Sequence, residues 1–314
     1  MSFSAEKRKI AIIGVGYVGS SIAYSLVVAR IAREIVLIEQ ESKIDKCKAE
    51  VNDIRHGIPF MGSSNVYTGT YADVKDCDLI IITAGRNRLP NEIRLELAKD
   101  NIATVKSVIE ETKKHYNGGV ILVVTNPVDI ITRMVTNMMQ LKPGMVFGSG
   151  CILDCSRLSN ILVDFVGLPS ESINATVIGE HGEGQIILWS RASVAGVQID
   201  EYCADAGIKF GDEEKRQIEE RVLKMGMEII KGKGRTHFGI SSCVSYIANA
   251  ILNHHSTIAS VSSVLSGEYD IHDVAMSLPS IITASGVERR LVDRLSDSEY
   301  KKLKETANKL DMFF

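Results

Sequence analysis

The side chains able to do chemistry in this chain are gathered in two short stretches. Gly179-Glu180-His181-Gly182 sets an imidazole among glycines, and Leu153-Asp154-Cys155-Ser156-Arg157, ending 24 residues before His181, supplies a carboxylate and a guanidinium. An imidazole with an ordinary pKa of about 6.5 passes protons near neutral pH. A carboxylate such as Asp154 can orient that ring and stabilise its cation. Arg157 follows Asp154 by three residues, about one helical turn, and its planar fork suits a substrate carboxylate. A histidine between glycines is by itself a common turn residue. The combination makes His181 a candidate proton carrier and Arg157 a candidate clamp.

A third stretch supplies a cofactor cradle. Gly14, Gly16 and Gly19 form a GxGxxG pattern after a strand-like run and before a helix-like one. Glycines there permit a tight turn and close approach of a pyrophosphate, which the helix N-terminus attracts. Glu39 ends the second apolar run, 20 residues after Gly19, where a carboxylate accepts hydrogen bonds from an adenosine ribose and repels a 2′-phosphate. It also reads as a solvated acid at a helix start. Glycines and acid together favour NAD over NADP. Thr83-Ala84-Gly85 and Thr125-Asn126-Pro127-Val128-Asp129 follow the next two apolar runs, at strand ends where a doubly wound sheet opens its crevice. Small residues there admit a nicotinamide and Asn126 can hydrogen-bond near it, although a plain turn explains either segment. Hydride transfer to a ketone needs a proton donor active near neutrality and a grip on the substrate carboxylate, which these stretches offer as a set.

The elements that must carry these residues are legible as alternating patterns. Apolar runs at Ile10 to Ile13, Ile35 to Ile38, Leu79 to Ile82 and Val120 to Val124 suit strands buried on both faces. Helix-length segments lie between them, including Val18 to Ala32 and Ile93 to Tyr116. The alternation predicts an α/β fold with a Rossmann-type doubly wound parallel sheet over residues 1–148. Residues 149–314 change character and predict an α+β substrate and oligomerisation domain. Strand pairs are expected near Ser172 to Ile178 with Gln185 to Trp189, and near Ile258 to Leu265 with Val274 to Ile282. Ile218, Val222, Met225 and Ile229 predict one apolar helix face that packs in the core. Ser296 and Glu299 stand at capping-box spacing before a last helix.

With 314 residues the chain can bury an ample core, and it requires neither metal nor disulfide. A net charge of −3, from 36 basic and 39 acidic residues intermixed, offers no basic face for nucleic acid. The six cysteines lie in apolar or helical stretches, as free thiols do, which fits a reducing cytoplasm. Cys151 and Cys155 share a helical face, but no second ligand pair accompanies them, and no metal is expected. The N-terminus lacks an apolar targeting core, and no apolar run is long enough to span a membrane.

The motifs GVGYVGS, TAGRNRLPNEIR, TNPVD, GSGCILDCSR, GEHGEGQIILWS and GKGRTHFGI, in this order, resemble those of the L-lactate/L-malate dehydrogenase family across nearly all of residues 8–312. The resemblance implies that His181 is the acid/base, that Asp154 orients it, that Arg157 binds the substrate carboxylate and that Arg94, at the end of a lid segment, polarises the carbonyl. It also implies a cofactor site at Gly14, Gly16, Tyr17, Val18, Gly19, Glu39, Thr83, Ala84, Gly85, Asn126, Ser149 and Ile240, with Asn126 at the substrate as well. Arg88, six residues before Arg94, holds a position that reads substrate; an arginine there suits the second carboxylate of oxaloacetate. Thr236, Trp189 and the GSG segment instead match lactate-type members, and a threonine at 236 leaves less room for an extra carboxylate. Pyruvate and L-lactate are therefore the expected pair, with oxaloacetate and L-malate, or a broader range of 2-hydroxy acids, as the alternative. A homotetramer is expected, as is no membrane partner.

Many bacterial lactate-type members bind fructose 1,6-bisphosphate through an arginine and a histidine whose positions here are Ser159 and Asn174. Without those cations the sugar bisphosphate should bind poorly. Adding it should leave the apparent pyruvate constant unchanged in a steady-state assay, and a clear drop refutes this reading.

Overall fold

The computed structural model describes residues 8–86 and 94–313, with the backbone alone at 94–96. Arg88 lies outside the described residues, and Arg94 enters only as the first residue of a helix. Two compact units emerge.

The first unit comprises residues up to 149 together with 237–258 and 281–289. Its chain alternates β1 (Lys9–Ile13), α1 (Tyr17–Val28), β2 (Glu34–Ile38), α2 (Ile44–Met61), β3 (Asn65–Gly69), β4 (Leu79–Ile82), α3 (Arg94–His115), β5 (Val120–Val123), α4 (Val128–Met139) and β6 (Val146–Gly148). These strands lie in the order β3-β2-β1-β4-β5-β6. Every pairing among them is parallel, for instance Ile10 with Ile35 and with Leu79. The four apolar runs become β1, β2, β4 and β5, each with four consecutive buried residues, because helices cover both faces of the sheet. On one face Ile13, Ile38, Ile82 and Val123 pack against Val105 and Ile109 of α3 and Ile131 and Val135 of α4. Strand order reverses between β1 and β4, and the loops leaving those strands are Gly14–Gly16 and Thr83–Gly85.

The second unit comprises 150–236, 259–280 and residues from 290 onward. It contains α5 (Ile152–Val166), β7 (Ile173–Asn174), β8 (Val177–Gly179), β9 (Gln185–Ile187), β10 (Ser193–Val194), β11 (Val197–Gln198), α6 (Ile199–Asp205) and α7 (Asp212–Lys233). The chain then runs through α8 (Phe238–Leu252), which belongs to the first unit, to the long strands β12 (Thr257–Ser266) and β13 (His272–Thr283). After β14 (Gly286–Arg290) it closes with α9 (Asp297–Asp311). Here the strand order is β12-β13-β8-β9, with antiparallel pairing of β8 to both neighbours, and β11-β10-β7 form a small separate sheet. Leu158, Ile161 and Leu162 of α5 meet Val177, Ile187, Ile218 and Val222 in its core.

Three features depart from the sequence reading. The edge strand β3 and the three-residue β6 were not foreseen, because neither carries a long apolar run. The expected apolar face of α7 is buried only in its first half: Ile218 and Val222 are enclosed, but Ile229 is 41% exposed. Finally, α8 groups with the first unit, where it packs on α1 through a Ser245–Ser25 hydroxyl contact of 2.8 Å and a Ser21–His237 contact of 2.9 Å. All six cysteines are free thiols, and no described helix is long and apolar enough to cross a membrane.

The capping box at α9 forms as its spacing requires, with the Ser296 hydroxyl accepting from the Glu299 N–H and the Glu299 carboxylate accepting from the Ser296 N–H. Glu299 is buried and also accepts from the Ser190 N–H at 3.1 Å and the Ser190 hydroxyl at 2.6 Å, which fastens α9 to the turn after β9. Burial pushes its carboxyl up, but these donors outweigh burial and hold it below the ordinary value. A depressed folded-state pKa contributes stability above the unfolded pKa and loses it as pH falls through the folded value. Glu299→Gln should therefore lower Tm by a few degrees at pH 7, with the deficit shrinking in acid below about pH 4. Thermal unfolding at both pH values checks this, and an undiminished deficit in acid contradicts it.

Candidate active site

The placement of Asp154 and Arg157 begins with a glycine. Gly150 has φ +54°, and a Cβ there would stand 2.3 Å from the Ser277 hydroxyl and 2.5 Å from the Ser262 nitrogen, so only glycine lets the chain pass this close to β12 and β13. The Cys151 N–H donates to the Ser277 hydroxyl at 3.0 Å, and α5 starts at the next residue. Asp154 falls in its first turn, where a carboxylate is favoured by the helix dipole. Cys151 and Cys155, one turn apart, face β8: the Cys155 sulfur accepts from the Val177 N–H at 3.2 Å, and the Cys151 thiol lies 3.9 Å from the Gly179 carbonyl. Two thiols thus set α5 against the strand that delivers His181.

His181 sits in the turn from β8 to β9, closed by the Glu180 N–H donating to the Gly184 carbonyl and the Gln185 N–H to the Gly182 carbonyl. The far end of this hairpin is held by Trp189, whose indole N–H donates to Glu219 of α7 at 2.8 Å. His181 Nδ1 is then 2.6 Å from Asp154 Oδ2, and Arg157 donates through one terminal nitrogen to Asp154 Oδ1 at 2.7 Å. One carboxylate engages both the imidazole and the guanidinium, one oxygen each.

Asp154 is 1% exposed. Burial pushes its carboxyl up, but the charge and hydrogen bond of His181 and those of Arg157 prevail and hold it below the usual carboxylate value. An ionised Asp154 at Nδ1 favours the tautomer with its proton there, which leaves Nε2 as the ring nitrogen not engaged by Asp154. Arg157 commits one N–H to Asp154 and has five in all. A residue absent from the sequence reading closes this site: Gly226 of α7, where a Cβ would lie 3.2 Å from an Arg157 nitrogen. Its only signal in the sequence is a glycine inside a helical pattern.

The first unit holds the cofactor-loop candidates. Gly14 has φ +101°, and a Cβ there would reach 2.4 Å from the Ala84 nitrogen; one on Gly19 would reach 2.1 Å from the Gly14 carbonyl. Gly16, in contrast, faces open space at the start of α1, with Tyr17 and Val18 in its first turn. Packing thus demands the outer glycines, and the middle one keeps a helix N-terminus accessible, which fits the pyrophosphate of a dinucleotide. Glu39 stands beside this loop and accepts the Val15 N–H at 2.8 Å, with lone pairs remaining for a ribose. The Thr83 hydroxyl donates to the Gly14 carbonyl at 2.6 Å, and Gly85 and Asn126 leave neighbouring strand ends. The buried Ser149 donates its N–H to Val123. Ile240 lies in the first turn of α8, and Thr236 lies in the second unit after the Gly234 cap of α7.

Comparison with known proteins identifies the family. Residues 8–148 match the lactate/malate dehydrogenase NAD binding domain, and residues 151–312 the alpha/beta C-terminal domain of the same family. An L-lactate dehydrogenase of Thermoanaerobacterium saccharolyticum is 39% identical over 300 residues, covering 96% of each chain. A solved L-lactate dehydrogenase from Clostridium thermocellum is 40% identical over 97% of each chain, with a TM-score of 0.83. The ligand-bound minor L-lactate dehydrogenase of Enterococcus mundtii is 30% identical, covers 98% of this chain and 97% of that one, and has a TM-score of 0.93.

Asp154→Asn keeps the shape but removes the charge that both partners share. Turnover should fall on the order of 10²-fold or more, with the fold retained by circular dichroism. Near-normal turnover contradicts the assignment of Asp154 as orienter.

Proposed function

The chain belongs to the lactate/malate dehydrogenase family, and we propose that it interconverts pyruvate and L-lactate with NAD as cofactor. The observation that carries this reading is the buried carboxylate of Asp154, engaged by His181 and Arg157 at once. Bound NADH supplies the hydride. Arg157 grips the ketoacid carboxylate through N–H groups beyond the one given to Asp154. His181 passes a proton from Nε2 to the ketone oxygen, and Asp154 stays ionised and offsets the imidazolium before that transfer. Arg94, by family resemblance, polarises the carbonyl. The sum is pyruvate, NADH and a proton giving lactate and NAD.

Pyruvate is favoured over oxaloacetate by the lactate-type relatives and by Thr236. Arg88 favours the second carboxylate of oxaloacetate, since a guanidinium enclosed beside a methyl group without a counter-charge costs several kcal/mol. A homotetramer, a cytoplasmic setting consistent with six free thiols, and indifference to fructose 1,6-bisphosphate complete the proposal.

NADH oxidation with pyruvate and with oxaloacetate in parallel tests it. The specificity constant for pyruvate should be the larger; a larger constant for oxaloacetate assigns the chain to malate through Arg88. His181→Ala should abolish most turnover yet bind NADH nearly as the parent does, and preserved turnover removes His181 from the mechanism.

A further inference from the structure

Asn101 of α3 is 1% exposed, and among the described residues its side chain bonds to backbone at two strand ends. Its side-chain oxygen accepts the Arg86 N–H at 2.9 Å. Its amide nitrogen donates to the Arg86 carbonyl at 3.2 Å and to the Asn126 carbonyl at 2.8 Å. Arg86 lies in the segment that leaves β4, and Asn126 belongs to the turn that leaves β5.

We propose that Asn101 is a positioning residue for the reaction: it sets the spacing between these two turns and thereby the direction in which Asn126 presents its side chain. The inference rests on the proposed function together with the sequence expectation that Asn126 lies by the nicotinamide and substrate. The geometry leaves little slack around this tie. A Cβ on Gly85 would lie 2.8 Å from the Thr125 methyl and 3.0 Å from the Asn101 oxygen, so the two turns are already at closest approach. Thr125 adds a second strut, with its hydroxyl donating to the Ala84 carbonyl at 2.8 Å. The Asn126 side-chain oxygen accepts the Val128 N–H at 3.3 Å, so Asn126 is restrained at its own carbonyl by Asn101 and at its side chain by the start of α4. Only a carboxamide suits position 101. A carboxylate accepts from Arg86 but cannot donate, and its charge would stand against two carbonyl oxygens; an aliphatic side chain would leave a buried N–H and two carbonyls without this partner.

Asn126 is held through its backbone, so losing the tie should displace the reacting geometry more than cofactor affinity. A displacement of about 1 Å can cost on the order of 10²-fold in rate. The test compares the parent, Asn101→Asp and Asn101→Ser for NADH affinity by fluorescence, for kcat and KM with pyruvate, and for the isotope effect on kcat with NADH deuterated at the transferred position. Serine is the milder change should the aspartate variant fail to fold. Expected are an NADH affinity within about three-fold of the parent, a kcat lowered by about ten-fold or more per folded site, and a larger isotope effect as hydride transfer becomes limiting. Asp100→Asn, which removes only the exposed ion pair from the Arg86 guanidinium to Asp100, should leave kcat and the isotope effect as they are. A parental kcat and isotope effect per folded site in the variants overturns the proposal, even if Tm falls, because a structural role alone predicts that pattern. A parent that oxidises no NADH with any 2-ketoacid removes the functional reading itself, and is recognised before any variant is compared.

Discussion

The site depends on one buried carboxylate shared by an imidazole and a guanidinium. Asp154 in isolation would be driven toward its neutral form by desolvation, which would release the imidazole from its tautomer and leave the guanidinium without its partner. The presence of both partners, one on each oxygen, reverses that balance. Removing one partner from a buried pair of this kind typically costs about 3–5 kcal/mol, so the arrangement resists loss of any member. The imidazole and the guanidinium are consequently coupled through a single group, and their separation is set by the length of one carboxylate.

Much of the second unit reads as the scaffold that keeps this carboxylate in place. Gly150 admits the chain beside Ser277, the thiols of Cys151 and Cys155 index α5 on β8, and Gly226 lets α7 cover the guanidinium. The first unit solves a different problem, holding three strand-end loops at fixed spacing with few large side chains. Thr83 ties to Gly14, Thr125 to Ala84, and Asn101 joins Arg86 to Asn126. Short polar side chains do this well because each bond directs a backbone segment and leaves the loop surface available.

What was legible in the sequence was what a local pattern can encode. Unbroken apolar runs gave β1, β2, β4 and β5 because burial on both faces leaves no polar alternation, whereas β3, half-exposed at the sheet edge, and the very short β6 carried no such mark. The Asp154 and Arg157 pair was readable because helical spacing is local, and the Ser296 and Glu299 cap for the same reason. Its link to His181 spans 27 residues and required the recognition of an ordered set of motifs. Asn101, Gly226 and Ser277 were not readable: each acts by meeting a distant segment, and nothing in its immediate neighbours distinguishes it from an ordinary helix or strand residue. The burial of α7 was overestimated because periodicity shows that a face is apolar and not that a partner covers its whole length. The grouping of α8 with α1 likewise arises from contacts between segments more than 200 residues apart.

The most direct test of the shared carboxylate is a crystal structure of the protein with NADH and oxamate, a pyruvate analogue whose carbonyl resists hydride. The account predicts the oxamate carboxylate on Arg157 and its carbonyl oxygen within about 3.2 Å of His181 Nε2, with Nδ1 still on Asp154. Oxamate bound away from Arg157, or His181 turned off Asp154 in the complex, would contradict it.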